Sequence, residues 1–370
     1  MAFSVPSLVR ANIFQRRTRA AIAILAVAIE VTAVMVLVGL TSGTINEVSG
    51  RIQALGADIM FRPSGSSPLL GLSDTTMPAS AVDRLLEIEG VDSASPVMIW
   101  NTSQVSDAPT NMFGIDPEPF ERVGGELDIL DGRRLQSGYE IIVDRRLAST
   151  EGLSVGQQLE ILGQDWTIVG IYRAGIGARM MVPLGTLQEI LGLPNKTHVV
   201  FLKVDAGVEP SAVSARLGRA FDGFETTLME QYTEVLRENI VGLDQFNGAI
   251  SSIAVVLSFL VILLAMYTSI IERTREIGIL KALGASKSYI MRTIMSESVL
   301  LCSIGAAAGV GLAYLTRWAL VNRYPTLSVE FTTEWMIYAI LLGLAGGSLG
   351  AFYPALRAAR QDAVRALRNE

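Results

Sequence analysis

One cysteine and one histidine in 370 residues exclude several chemistries at once. Cys302 has no second cysteine to pair with, so no disulfide forms within the chain and the fold does not depend on an oxidising compartment. His198 cannot build a multi-histidine metal site, and a structural place in a strand is its expected role. Charge is scarce as well. Asp, Glu, Lys and Arg make up 18% of the chain, and the formal net charge of −6 argues against a general nucleic-acid binder. The phosphate loop GxxxxGK[ST] is missing; LGASKS at 283–288 lacks the glycine required before its lysine. HExxH, CxxC and GxSxG are missing too, and the scattered acids suggest no acid–base pair. No catalytic residue, metal site or cofactor is expected in this chain, and any energy from ATP would enter through a partner.

What the chain has is oil. Half of it is apolar, and its mean hydropathy is +0.41, between the values of a soluble and a wholly embedded protein. A bilayer core needs about 20 apolar helical residues. Four runs meet that: Ala20–Leu40, broken only by Glu30; Ala249–Ile271, without charge; Ile294–Leu315, with Glu297 near its start; and Trp335–Leu356, without charge. The first run exceeds the apolar core of a signal peptide, about 7–15 residues, and reads as a retained anchor.

Lysine and arginine set the orientation. Arg10, Arg16, Arg17 and Arg19 precede the first run. Arg273, Arg275, Lys281, Lys287 and Arg292 lie between the second and third, and Arg357, Arg360, Arg365 and Arg368 follow the fourth. Alternating spans put all of these on one side, so both termini are expected in the cytoplasm. The loop between the third and fourth runs has only Arg317 and Arg323.

Residues 42–248 are the excursion to the other side, with 15 Lys and Arg against 28 Asp and Glu. QLEILGQDWTIVGIY alternates around a Gly163–Asp165 turn and reads as a hairpin. EIIVD and THVVFLKVD read as strands. MPASAVDRLLEIEG, from Pro78 to Gly90, VPLGTLQEILGLP and EPSAVSARLGRAF read as helices. Residues 226–248 read as a stalk helix running unbroken into the second span. The expected fold class is an α-helical membrane protein with four transmembrane helices and a large α+β extracytoplasmic domain between helices one and two. The division is 1–41, 42–248 and 249–370.

Polar or small residues inside the spans are the next candidates. A carboxylate in mid-span is costly unless neutral or paired. Glu30 is therefore either functional or a protonated group bonded at a helix contact, with Thr32 or a partner chain as acceptor. Glu297, one turn inside its span, is expected to snorkel toward the cytoplasm. Gly305/Gly309, Gly343/Gly347 and Gly346/Gly350 have the spacing that lets helices pack closely.

The stretch ERTREIGILKALGAS, Glu272–Ser286, joins the second and third spans. Ile277, Leu280 and Leu283 fall on one side of a helix, with Ile279 nearby, and Arg273, Glu276 and Lys281 supply polar positions. Gly284 marks its end and Ser286 the start of the next helix. Two readings stay open: an interfacial helix resting in the headgroups, or a lever docked on a motor. This stretch resembles the signature of the FtsX/MacB family of ABC-transporter permeases. YPALRAARQDAVRALRNE resembles the family's tail, apart from Ala363 where proline is frequent. LDGRRLQSGYEIIVDRRLASTEGLSVGQQLEILGQDWTIVGIY is similar to its MacB-like periplasmic core domain.

The resemblance implies that residues 272–284 form a coupling helix that meets a separate cytoplasmic ABC ATPase, which uses ATP and Mg. Glu272, Arg273, Arg275, Glu276, Gly278, Leu280, Lys281 and Gly284 would make that contact. It implies a dimer of such chains or a paralogous pair in a bacterial cytoplasmic membrane, and mechanotransmission to the outer domains. A substrate would be exported or extracted from the periplasm or outer leaflet, with a periplasmic adaptor or carrier as a further partner. The alternative is an FtsX-like signalling subunit that activates an extracellular hydrolase.

Overall fold

The computed structural model describes residues 17–67, 75–106, 109–239, 243–324 and 327–361. Arg10, Arg16, Ala363, Arg365 and Arg368 lie outside the described residues. The chain divides into two compact units, Met1–Gly43 with Gly242–Glu370, and Thr44–Val241.

The first unit is a helical bundle. Four helices are long and apolar enough to cross a membrane: α1 (Arg17–Gln53), α8 (Leu243–Glu272), α10 (Lys287–Arg323) and α11 (Thr333–Arg360). Their large side chains point outward: Ile22, Leu25, Ile29, Leu260, Leu264, Leu341 and Leu349 are all more than half exposed. Small and branched residues fill the inside, among them Val27, Val31, Ile262, Cys302, Ala306, Ala351 and Ala355. That inversion suits lipid, which rewards apolar surface on the outside and close backbone approach within.

The glycines mark the closest approaches. A Cβ on Gly309 would lie 2.7 Å from the Ala28 carbonyl oxygen, and one on Gly305 2.9 Å from that of Ile24. One on Gly347 would collide with the Cys302 sulfur. On Gly350 it would lie 2.5 Å from the Phe259 carbonyl oxygen, on Gly346 3.2 Å from that of Val255, and on Gly343 3.2 Å from Val27. Gly39 and Gly43 were not singled out from the sequence. The segment Ser328–Phe331 crosses α1 there, and a Cβ on Gly43 would lie 2.3 Å from the Ser328 oxygen.

Backbone cannot swing aside as a side chain can. Gly350→Ala is therefore expected to destabilise the bundle by about 1–3 kcal/mol through overpacking. Gly311→Ala, with open space around it, should cost almost nothing. Thermal unfolding of the two purified variants compares them; equal midpoints would defeat the close-approach account.

The second unit is built on a ten-stranded sheet of order β12-β1-β11-β3-β4-β9-β6-β8-β5, with β7 paired to β8. In chain order the strands are β1 (Ile59–Pro63), β2 (Met77–Pro78), β3 (Val91–Thr102), β4 (Thr110–Ile115), β5 (Ile129–Gly132), β6 (Glu140–Asp144), β7 (Gln158–Ile161), β8 (Gln164–Tyr172), β9 (Met180–Pro183), β10 (Lys196–Thr197), β11 (Val199–Val204) and β12 (Phe224–Leu228). The pairings are antiparallel except β4–β9 and β6–β8. The short helices are α2 (Ala81–Leu86), α3 (Pro117–Gly124), α4 (Arg145–Glu151), α5 (Leu184–Ile190), α6 (Pro210–Ala220) and α7 (Tyr232–Asn239). One core gathers Phe61, Leu85, Leu202, Val213 and Leu217. A second gathers Met98, Met112, Ile141, Leu147, Trp166 and Leu187.

Several expectations shift. The β7–β8 turn sits at Leu162 and Gly163, both with positive φ, one residue before the expected position. Two consecutive positive φ values match the twist of a tight hairpin, and the Gln104 side chain accepts from the Leu162 N–H at 3.0 Å. Pro78 belongs to β2, and its helix begins later, at Ala81. THVVFLKVD breaks at His198, whose Nδ1 accepts from the Ile99 N–H at 3.1 Å.

The single stalk helix over 226–248 is incorrect. Residues 226–228 belong to β12, which pairs along β1, and a 3₁₀ turn at Met229–Gln231 precedes α7. Residues 240–242 lie outside the described residues. The β-branched pair Thr226–Thr227 favours a strand, and sheet pairing overrode the helical pattern that follows it.

Candidate functional site

The elbow between α8 and α10 holds the signature stretch. Its helix, α9, runs Thr274–Ala282, shorter than 272–284. Glu272 closes α8 instead. Arg273 breaks the helical path with φ −104 and ψ 12. Gly284, at φ +91, ends the turn after α9; its N–H donates to the Lys281 oxygen and that of Ala285 to the Leu280 oxygen. The Ser286 hydroxyl then caps α10 by accepting from the Tyr289 N–H at 3.1 Å.

Two polar ties hold α9 from behind. The Arg273 guanidinium donates from Nη1 to the Glu297 carboxylate on α10 at 3.1 Å, with both residues buried. Glu297 therefore does not snorkel: a guanidinium at the same depth is a better partner than distant water. Lys281 donates to the carbonyl oxygens of Ala359, at 2.8 Å, and of Gln361. It thus closes the C-terminal end of α11, where carbonyls lack helical partners. Gly278 is buried on the same inner side, with Ile277. Leu280 is half-buried, and Arg275 is exposed. Glu276 is exposed, with its carboxylate 3.7 Å from Arg273 Nε.

The outer face of α9 differs from the expected one. Leu283 was placed with Ile277 and Leu280, yet it is 80% exposed, and Ile279 is 43% exposed. Arg275, Ile279 and Leu283 recur at four-residue spacing and form one surface. Ile279 and Leu283 were missed as contact candidates. The signal was there: two large apolar residues on the same helical face as Arg275, opposite Ile277.

Glu30 also differs. Its carboxylate is buried beside the Ser258 hydroxyl, and neither oxygen makes a hydrogen bond of ordinary geometry among the described residues. The Thr32 hydroxyl points to the Ala28 and Gly309 carbonyl oxygens, at 2.6 and 3.0 Å. Thr32 is thus not its acceptor.

In the second unit a buried charge cluster stands out that the sequence did not reveal. Arg51 donates from Nε to the Gly177 oxygen at 2.9 Å, from Nη1 to Asp144 at 2.8 Å, and from Nη2 to the Ala178 oxygen at 2.5 Å. Asp144 is fully buried, and its other oxygen caps α4 by accepting from the Leu147 N–H at 2.6 Å. Arg179 pairs with Glu47 and lies 3.8 Å from Asp144. Burial draws the Arg179 pKa below its usual value, and Glu47 opposes that shift. Burial also holds the Tyr172 hydroxyl protonated, as a donor to the Ala178 oxygen. The partners are more than 90 residues apart in sequence, so no local pattern announces them.

Comparison with known proteins places this architecture. The family model for the MacB-like periplasmic core domain matches residues 20–220, and that for the FtsX-like permease C-terminal region matches residues 248–363. The chain is 27% identical, over 96% of its length, to the pyoverdine export ATP-binding/permease protein PvdT of Pseudomonas fluorescens. It is 26% identical, over 98% of its length, to the macrolide export ATP-binding/permease protein MacB of Rhodospirillum rubrum. It spans only 57% and 59% of these relatives. The periplasmic region of MacB from Actinobacillus actinomycetemcomitans aligns over 50% of this chain and 94% of its own, with TM-score 0.38 and 13% identity. With both family models matched in order along one chain, on four apolar helices and a large α/β domain between the first and second, the protein belongs to the MacB-like, FtsX-type family of ABC-transporter permeases.

Proposed function

We propose that this chain is the membrane subunit of an ABC exporter or extraction system, moved by an ATP-binding partner that docks on the outer face of α9. The observation that carries the reading is the exposure of Ile279 and Leu283 beside Arg275 on a helix tied from behind to α10 and α11. A helix meant only to rest in headgroups needs neither a buried ion pair nor a lysine clamp. A helix that receives force needs both, because force applied to an untied element moves that element alone. ATP and Mg act on the partner. A second copy or a paralogue completes the membrane unit, both termini lie in the cytoplasm, and the outer unit passes the movement to a substrate in the periplasm or outer leaflet.

Leu283→Asp tests the docking. The side chain is 80% exposed, so the fold should be unaffected. Burying a carboxylate at the centre of an apolar contact should weaken ATPase binding by about 2 kcal/mol, roughly thirtyfold. Co-purification and the ATPase affinity in reconstituted membranes measure this. An unchanged affinity would sink the docking surface.

A further inference from the structure

Behind α9 lies a shallow cleft open to solvent, walled by α8, α9 and α10. Met266, Ile270, Ile277 and Ile294 give it apolar sides, and Arg273, Glu276 and Glu297 sit together in its lining. The Arg273 Nε–H is buried without a hydrogen-bond partner, although the residue is only 9% exposed. A buried donor left unmatched is costly, so an orphan of this kind calls for an occupant. One carboxylate, Glu297, is taken up by Nη1. The other, Glu276, stands 3.7 Å from Nε, too far for a hydrogen bond, and remains mostly in solvent.

We propose that this cleft binds a phospholipid with an ethanolamine headgroup, its phosphate accepting from Arg273 Nε–H, its ammonium on Glu276, and the start of one acyl chain along the apolar wall. The inference rests on the proposed function only in taking the four helices as membrane spans. Charge decides the headgroup. The lining carries one cation and two carboxylates, so an anionic lipid would add negative charge to a site already net negative. A zwitterion brings one charge of each sign to one group of each sign. An ammonium also donates hydrogen bonds to a carboxylate, which a quaternary choline cannot. The cleft lies where α8 ends and the charged residues begin, the level at which headgroups sit.

The test is native mass spectrometry of the full chain, delipidated in detergent and given phosphatidylethanolamine, phosphatidylglycerol or phosphatidylcholine, without any ATPase. The ethanolamine lipid should be retained best. Glu276→Gln should lower its affinity about tenfold, the worth of one charge-assisted hydrogen bond, and leave choline lipid unchanged. Arg273→Lys keeps a cation for Glu297 but removes the Nε–H, and should also weaken retention.

Equal or stronger retention of the glycerol lipid would overturn the proposal. So would retention that neither variant changes. A Thr293→Cys probe in the cleft should be shielded from maleimide by the ethanolamine lipid. Shielding only when ATPase is added would identify a protein side chain as the occupant and defeat the lipid assignment. Because lipid retention is read without ATPase, it stands or falls separately from the Leu283 docking test.

Discussion

Glu297→Leu should loosen the elbow by about 3 kcal/mol, the lower end of what is lost when one partner of a buried ion pair is removed. The reason is the guanidinium left behind. Arg273 is buried, and its Nη1 has Glu297 as its carboxylate at 3.1 Å. Glu276, at 3.7 Å from Nε and largely in solvent, offsets part of the loss. The Arg273→Met/Glu297→Leu pair should recover much of the stability, since an apolar pair of similar size needs no compensation. Hydrogen exchange of the α9 amides reads the change directly. Wild-type protection in Glu297→Leu would show that the ion pair does not hold the helix. Under the proposed function, the single variant in reconstituted membranes should still bind the ATPase partner but respond weakly to it, whereas Leu283→Asp should fail at binding.

The other large effect is expected in the second unit. Arg51→Met removes three donations, to Asp144, Gly177 and Ala178. Asp144 then remains fully buried, with Arg179 only at 3.8 Å. A cost of about 3–5 kcal/mol follows, which for a unit of this size lowers the melting temperature by roughly 10 °C. Adding Asp144→Asn discharges the carboxylate and keeps an oxygen to cap α4, so the double variant should melt well above the single one. If the double variant melts no higher, the loss comes from the carbonyl contacts of Arg51 and not from the stranded charge.

Both predictions concern contacts the sequence did not announce. The spans were legible because each apolar run is long, and length separates a span from a buried helix. The turn after α9 and the start of α10 were legible from Gly284 and Ser286, whose capping chemistry is local. The hairpin at Leu162–Gly163 was legible to within one residue for the same reason. The start of α9 was not legible, because Glu272 continues α8. Arg273–Glu297, Lys281–Ala359 and Arg51–Asp144 were not, because their partners lie 24, 78 and 93 positions away. The face of α9 was misjudged at Leu283 because periodicity shows that one side is apolar, not which residues an elbow turns outward. The strand at Phe224–Leu228 was missed because its pairing with β1 is decided more than 160 residues upstream.

That last pairing bears on how the protein is made. β1 lies between β11 and β12 in the sheet, so the strand synthesised first waits for strands at 199–204 and 224–228 before either of its edges is covered. Nearly the whole segment between the first and second spans must reach its compartment before this edge closes. Closure over so long a stretch of chain is slow, and until then Ile59–Pro63 stands as an uncovered apolar edge able to pair with other strands. Biogenesis of this permease should therefore depend on how quickly the second span follows the first through the insertion machinery: a translational pause before strands 199–204 and 224–228 have cleared the ribosome should expose β1 to proteolysis and aggregation, while a pause after both have emerged should not.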